Sequence, residues 1–119
     1  MTILIIEHDI NISSVFREKL KSHNLNFQIV DGGVSAYKIL YDILPVYQFD
    51  YVVTSINLPD ENGVEIIKFI KAIFTTKVIV YTNKKIEFIE DKCEYDLYCD
   101  KKLYSPSDVI DLIINLQYY

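Results

Sequence analysis

The chain has no tryptophan, one methionine, two cysteines, three glycines and three prolines in 119 residues. Each scarcity removes a class of protein. Two cysteines, Cys93 and Cys99, cannot build a disulfide framework. They are not spaced as CxxC, and no histidine or cysteine cluster accompanies them for zinc. They read as reduced, partly buried thiols. With so few glycines there is no GxGxxG loop after the first strand, and Asp31-Gly32-Gly33 reads as a turn, not a nucleotide cradle. Basic charge is also short: 12 Lys and Arg against 17 Asp and Glu leave a net charge of -5. A nucleic-acid surface needs clustered cations, so direct DNA binding by this domain is not expected. No apolar run approaches the ~20 residues of a membrane span. "MTILIIEHD" lacks a basic leader region, so no signal peptide is expected and cytoplasm is the default.

What is present is ordinary for one globular domain, with 50% hydrophobic and 24% charged residues. Short β-branched runs at Ile3-Leu4-Ile5-Ile6, Tyr51-Val52-Val53 and Val78-Ile79-Val80-Tyr81 lack alternation. Such runs suit strands covered on both faces, hence a parallel sheet. Leu25 to Val30 is a fourth candidate and Leu97-Tyr98-Cys99 a weaker fifth. Helical spacing runs between them. Ile12, Val15, Phe16 and Leu20 share one face, with Asp9 or Asn11 as N-cap. Ala36, Ile39, Leu40 and Ile43 repeat the pattern before Pro45, and Val64, Ile66, Ile67, Phe69, Ile70 and Ile73 make an almost two-sided apolar helix. The final helix starts most clearly, with Ser105 as N-cap, Pro106 at the first helical position and Asp108 as capping-box acid. "NKKIEFIEDKCEYD" offers only Ile86, Phe88 and Ile89 before Cys93, so the fourth helix is expected to be stubby or irregular. Its acids Glu87, Glu90 and Asp91 read as a solvated face. The order βαβαβαβαβα, closed by right-handed crossovers, predicts a flavodoxin-like, doubly wound, five-stranded parallel α/β domain.

Ligands in open α/β sheets bind beyond the carboxyl ends of the strands, where strand order reverses. Those ends carry Glu7-His8-Asp9, Ser55, Thr82 and Lys101-Lys102. An acid, two hydroxyls and a lysine are thus expected to converge.

With these residues in view, the chain resembles the receiver domain of two-component response regulators over roughly residues 2–116. "ILIIEHD" is similar to the family's first strand and acidic pair, "GVSAYKIL" to its second helix, and "DYVVTSINLPDENGVEIIKFI" to its third strand, phosphoacceptor position, Leu-Pro turn, glycine and third helix. "VIVYTN" carries the switch hydroxyl, and "YDLYCDKKLYSP" the fifth strand with its aromatic and lysine. The resemblance implies phosphoryl transfer to an aspartate, with Mg²⁺ held by that aspartate, the acidic pair and a backbone carbonyl. Carried over residue by residue, it puts Ser55 at the phosphoacceptor position, Glu7 and His8 at the acidic pair, and Asn57 at the carbonyl position. Thr82 and Tyr98 take the switch positions. The lysine is Lys101 counted from Tyr98 and Lys102 counted from "LYSP"; Lys101 is preferred because the other register would put Asp100 inside the strand.

Two departures matter. Serine has no carboxylate to attack a phosphoryl donor or ligate Mg²⁺, and its alcohol needs a base. His8 puts an imidazole where a hard cation wants oxygen. The expectation is an atypical, non-enzymatic receiver with Mg²⁺ binding lost or very weak. It would act as a phosphorylation-independent interaction module, through a face built from the fourth helix, fifth strand and fifth helix. Its partner would be another protein, itself as a homodimer, or the output domain of a longer, transcription-regulating chain. The exposed apolar and aromatic content expected near Tyr95, Tyr98, Tyr104, Tyr118 and Tyr119 is consistent with such an interface. The competing expectation is a working phosphorelay receiver using Ser55 or a nearby acid such as Asp60.

Plainer roles also fit single residues. Ser55 would satisfy a backbone group at a strand end, His8 would be a hydrogen-bonded loop histidine and not a pH sensor, and Lys101 would pair structurally with Glu7. A Ser-His-acid hydrolase is set aside, because no oxyanion-hole glycine or nucleophile elbow is present.

Overall fold

The apolar runs assemble one parallel sheet in which every strand inside the edges is dry on both faces. The structure, a computed structural model, describes residues 1–43 and 49–116, so Pro45, Tyr118 and Tyr119 lie outside the described residues. β1 (Thr2–Ile6), β2 (Asn26–Val30), β3 (Tyr51–Thr54), β4 (Lys77–Thr82) and β5 (Leu97–Asp100) are ordered β2-β1-β3-β4-β5. The order reverses between β1 and β3, whose registered pairs run from Ile3–Tyr51 to Ile6–Thr54. The crevice therefore opens where Glu7 and Ser55 leave the sheet.

Alternation along the strands feeds two cores. Leu4, Ile6, Val52, Val78 and Val80 face α2 (Gly33–Ile43) and α3 (Gly63–Ile73). Ile3, Ile5, Val53, Ile79 and Tyr81 face α1 (Ile10–Ser22) and α4 (Pro106–Leu116). The helices begin where local chemistry satisfies their free N–H groups. Asp9 caps α1, accepting from Asn11 and Ile12. Ser105 and Asp108 form the reciprocal box, the Asp108 N–H donating to Ser105 Oγ at 3.1 Å and the Ser105 N–H to Asp108 Oδ2 at 2.9 Å.

The segment between β4 and β5 holds no α-helix. A single 3-10 turn, Ile86–Phe88, stands where the fourth helix was expected. Ile86, Ile89 and Cys93 share a helical spacing, but the stripe is thin and ends in a cysteine, too little apolar surface to hold a longer helix against the sheet. Only Ile89 is buried in the segment, at 1% exposure, whereas Phe88 is 55% exposed. The fourth helix from which an interaction face was expected is thus replaced by this irregular segment.

The β3–α3 connection doubles back tightly. The Gly63 N–H donates to Ile56 O at 2.8 Å, and a side chain at 63 would put its Cβ 2.2 Å from Ser55 O. Gly63 is needed for space, since no glycine here has positive φ. Gly63→Ala should destabilise the domain by about 2–3 kcal/mol, because the obstacle is backbone that cannot step aside; urea unfolding measures this, and a loss below about 0.5 kcal/mol would contradict the close approach.

Asp96 ties the start of β4 to α3. Its carboxylate accepts from the Lys71 ammonium and, at 2.7 Å, from the Val78 N–H. Burial pushes its carboxyl up, but these hydrogen bonds and the nearby lysines outweigh that and hold it below the usual carboxylate range. A depressed folded-state pKa stabilises the fold above the unfolded value of ~3.9 and loses that contribution as pH falls through the folded one. Asp96→Asn should therefore cost about 1.5 kcal/mol at neutral pH, with the gap to wild type closing below about pH 4. Urea midpoints compared across pH check this, and a constant gap would show that the charge is not responsible.

Candidate functional site

Four strand ends deliver the site. β1 ends at Ile6, so the next residue, Glu7, enters the crevice with its side chain only 2% exposed. β3 ends at Thr54, and the Ser55 N–H still donates to Ile6 O at 3.1 Å, which keeps Ser55 in line with the sheet at 3% exposure. Beyond β5, the Lys101 N–H donates to Thr82 O at 3.0 Å, which aims the lysine stem back over the sheet.

The three side chains close a ring. The Lys101 ammonium lies 2.6 Å from Glu7 Oε1 and donates to Ser55 Oγ at 3.0 Å. The Ser55 hydroxyl has Glu7 Oε1 at 3.0 Å and Tyr81 O at 3.3 Å as acceptors. Lys102 is exposed, and its backbone N–H donates to Asp100 Oδ1. The reason given for preferring Lys101 fails, however: Asp100 is the last residue of β5, half-buried within the strand.

His8 sits at the rim, its side chain 49% exposed and Nδ1 3.6 Å from Glu7 Oε2. Asn57 is exposed and forms a bridge to Asn62, closing the loop that Gly63 ends. Asp60 faces away from the ring. Its carboxylate accepts from the Gly33 N–H at 2.8 Å and the Val34 N–H at 3.0 Å, so it caps α2 from a neighbouring loop. Those two N–H groups, Val34's foremost, hold its carboxyl below the usual range.

The switch-equivalent pair meets at one residue. Thr82 Oγ1 accepts from the Lys84 N–H at 3.1 Å, and the Tyr98 hydroxyl donates to Lys84 O. Tyr98 and Tyr95 are half-buried against the α2–α3 core, and Tyr104 is half-buried against the other. They are not exposed interface aromatics, as the sequence alone suggested; Phe88 and Leu103, at 55% and 77% exposure, are the outward apolar groups on this side.

Sequence reasoning missed Tyr81 as a site residue. Its ring lies 5.5 Å from the Lys101 ammonium and its hydroxyl donates to Tyr104 O at 2.7 Å. Burial, with Glu7 nearby, pushes its hydroxyl up to about 12. The available signal was a polar-tipped aromatic inside an otherwise aliphatic strand.

The donor set suits a hard divalent cation poorly. Glu7 Oε1 is taken by Lys101 and Ser55, Glu7 Oε2 accepts from the Asp9 N–H at 3.3 Å, and Asp9 Oδ1 caps α1. No group of three or more His, Cys, Asp or Glu among the described residues is placed to hold a metal ion.

Comparisons with known proteins agree with this geometry at the level of fold. The chain is 29% identical over 121 residues to a probable transcriptional regulator, ycf29, of Pyropia yezoensis, covering 96% of this chain and 52% of that one. It thus spans about half the length of that curated relative. The chemotaxis response regulator CheY4 of Vibrio cholerae superposes with a TM-score of 0.80 at 15% identity, over 97% of each chain. The response regulator DrrB of Thermotoga maritima superposes with a TM-score of 0.80 at 22% identity, over 98% of this chain and 52% of that one. The response regulator receiver domain family matches residues 3–98, and the chain belongs to that family of signalling modules.

Proposed function

We propose that this receiver domain has kept the fold and given up aspartyl phosphorylation, and that it works as a phosphorylation-independent interaction module. One observation carries the reading: Ser55 stands at the end of β3 with its hydroxyl held between Lys101 and Glu7. An alcohol becomes a phosphoryl acceptor when a base takes its proton and a cation gathers the donor. Here the adjacent carboxylate is already paired with an ammonium at 2.6 Å. Asp60, the other nearby acid, has both carboxylate oxygens engaged at the start of α2. Mg²⁺ binding is accordingly lost or very weak, and no catalytic role follows for the domain.

Control then passes to a partner that prefers one of the domain's states, since only differential affinity shifts an equilibrium. The face made by residues 83–96, β5 and α4 meets that partner, either another protein, a second copy of the chain or an output domain. By analogy with the probable transcriptional regulator of Pyropia yezoensis, the readout is transcription, exerted through that partner or output domain and not by DNA contact from this acidic domain. No helix among the described residues is long and apolar enough to cross a membrane, and a cytoplasmic site of action fits this role.

Incubation with acetyl phosphate and Mg²⁺, followed by intact mass, should leave the chain unmodified. Stoichiometric gain of one phosphoryl group would overturn the reading in favour of a working phosphoacceptor. A Mg²⁺ titration separates the pocket argument from the rest. The double variant His8→Asp with Ser55→Asp should bind Mg²⁺ at least about ten-fold more tightly than wild type, because it restores hard oxygen ligands. Tyrosine fluorescence serves as the readout in this tryptophan-free chain, and equal affinities would show that the two departures are not what limits the cation.

A further inference from the structure

The ring at the strand ends is balanced within itself. It holds one carboxylate, Glu7, and one ammonium, Lys101, whose side chains are 2% and 13% exposed. A buried charge is tolerated only when it is paired and hydrogen-bonded. Glu7 meets that condition entirely from the chain itself. Lys101 and the Ser55 hydroxyl share its Oε1, and the Asp9 N–H reaches its Oε2. The ammonium is equally provided for, with Glu7, Ser55 Oγ and the face of the Tyr81 ring around it.

We infer that the Lys101 ammonium alone balances the charge of this pocket, so that the pocket is self-neutralised and indifferent to divalent cations. The inference rests on the proposed loss of phosphorylation and adds why no metal ion is needed. The charge count supports it. Carboxylates at positions 8 and 55 beside Glu7 would outnumber one lysine by two, a deficit that a divalent cation fills. Ser55 and His8 remove that deficit, and one ammonium then suffices. The geometry also assigns Ser55 a positioning role, since its hydroxyl accepts from Lys101 and donates toward Glu7, fixing the ammonium against one carboxylate oxygen.

The inference makes removal of the lysine a gain of function. Lys101→Met keeps the stem and deletes the charge, leaving Glu7 uncompensated. This variant should bind Mn²⁺ about ten-fold or more tightly than wild type, because hard cations seek free carboxylates. Tb³⁺ emission sensitised by nearby tyrosine should rise in parallel. The double variant Lys101→Met with Glu7→Gln should lose both effects, which separates the pocket from acidic surface sites. Mn²⁺ binding equal in wild type and Lys101→Met, or surviving Glu7→Gln, would overturn the inference. Should Lys101→Met fail to fold, the wild type still decides. The Lys101 ammonium should give a ¹⁵N-detected NH₃⁺ signal protected from exchange and unmoved by millimolar Mg²⁺. A signal that shifts or disappears on adding Mg²⁺ would show that the metal displaces the lysine. These outcomes are independent of the phosphodonor experiment. Phosphoryl gain would sink the functional reading, whereas an unresponsive Lys101→Met would sink only the account of the cation.

Discussion

A nearly buried carboxylate dictates what surrounds it. β1 pairs on both sides and the chain leaves it into the crevice, so Glu7 lies on the crevice floor with only 2% exposure. A charge so placed is tolerated only when it is paired and hydrogen-bonded. The chain answers with Lys101, delivered from the far side of β4 by the turn that follows β5. For the pair to close, β3 and β4 must lie in register between them, and Ser55 must be small enough to sit under the ammonium. Strand order, loop length and side-chain size at this end of the sheet therefore all answer to one ion pair.

The opposite wall of the crevice is set by close packing as well as by charge. The β3–α3 loop leans on the start of α2, where a Cβ at Gly33 would come within 2.4 Å of Glu61 Cβ. Asp60 exploits the gap the glycines leave and captures two N–H groups of a helix it does not belong to. Helix N-termini favour negative charge, so the loop is held electrostatically as well as sterically. An acid that looked like a spare nucleophile in the sequence is a strut between two loops.

Much of this is legible in the sequence. The undivided β-branched runs required a sheet covered on both faces, and Ser105 with Asp108 announced the start of α4 by their spacing alone. Ser55 could be assigned its place because the strand Tyr51-Val52-Val53 leads into it and the Leu58-Pro59 turn and Gly63 follow it. What stayed hidden depended on direction. Nothing in "VIVYTN" says that the Tyr81 ring turns under a lysine twenty residues on, or that Thr82 and Tyr98 both reach the backbone of Lys84. Asp60 contacts α2 across 26 and 27 residues, a distance over which local patterning carries no information. The weak fourth helix was visible as too few apolar residues, but its shortening to one 3-10 turn beside the buried Ile89 was not.

Anchoring is uneven across the domain. Residues on β1, β3 and β4 lie under two layers of side chains and open only with the whole fold. The stretch between β4 and β5 buries Ile89, packs Cys93 and Tyr95 partly against the same core, and is tied at its end by Asp96 and near its start by two side-chain bonds to Lys84. Between those ties its backbone is fastened by turns alone, which makes it the part of this flank that loosens first.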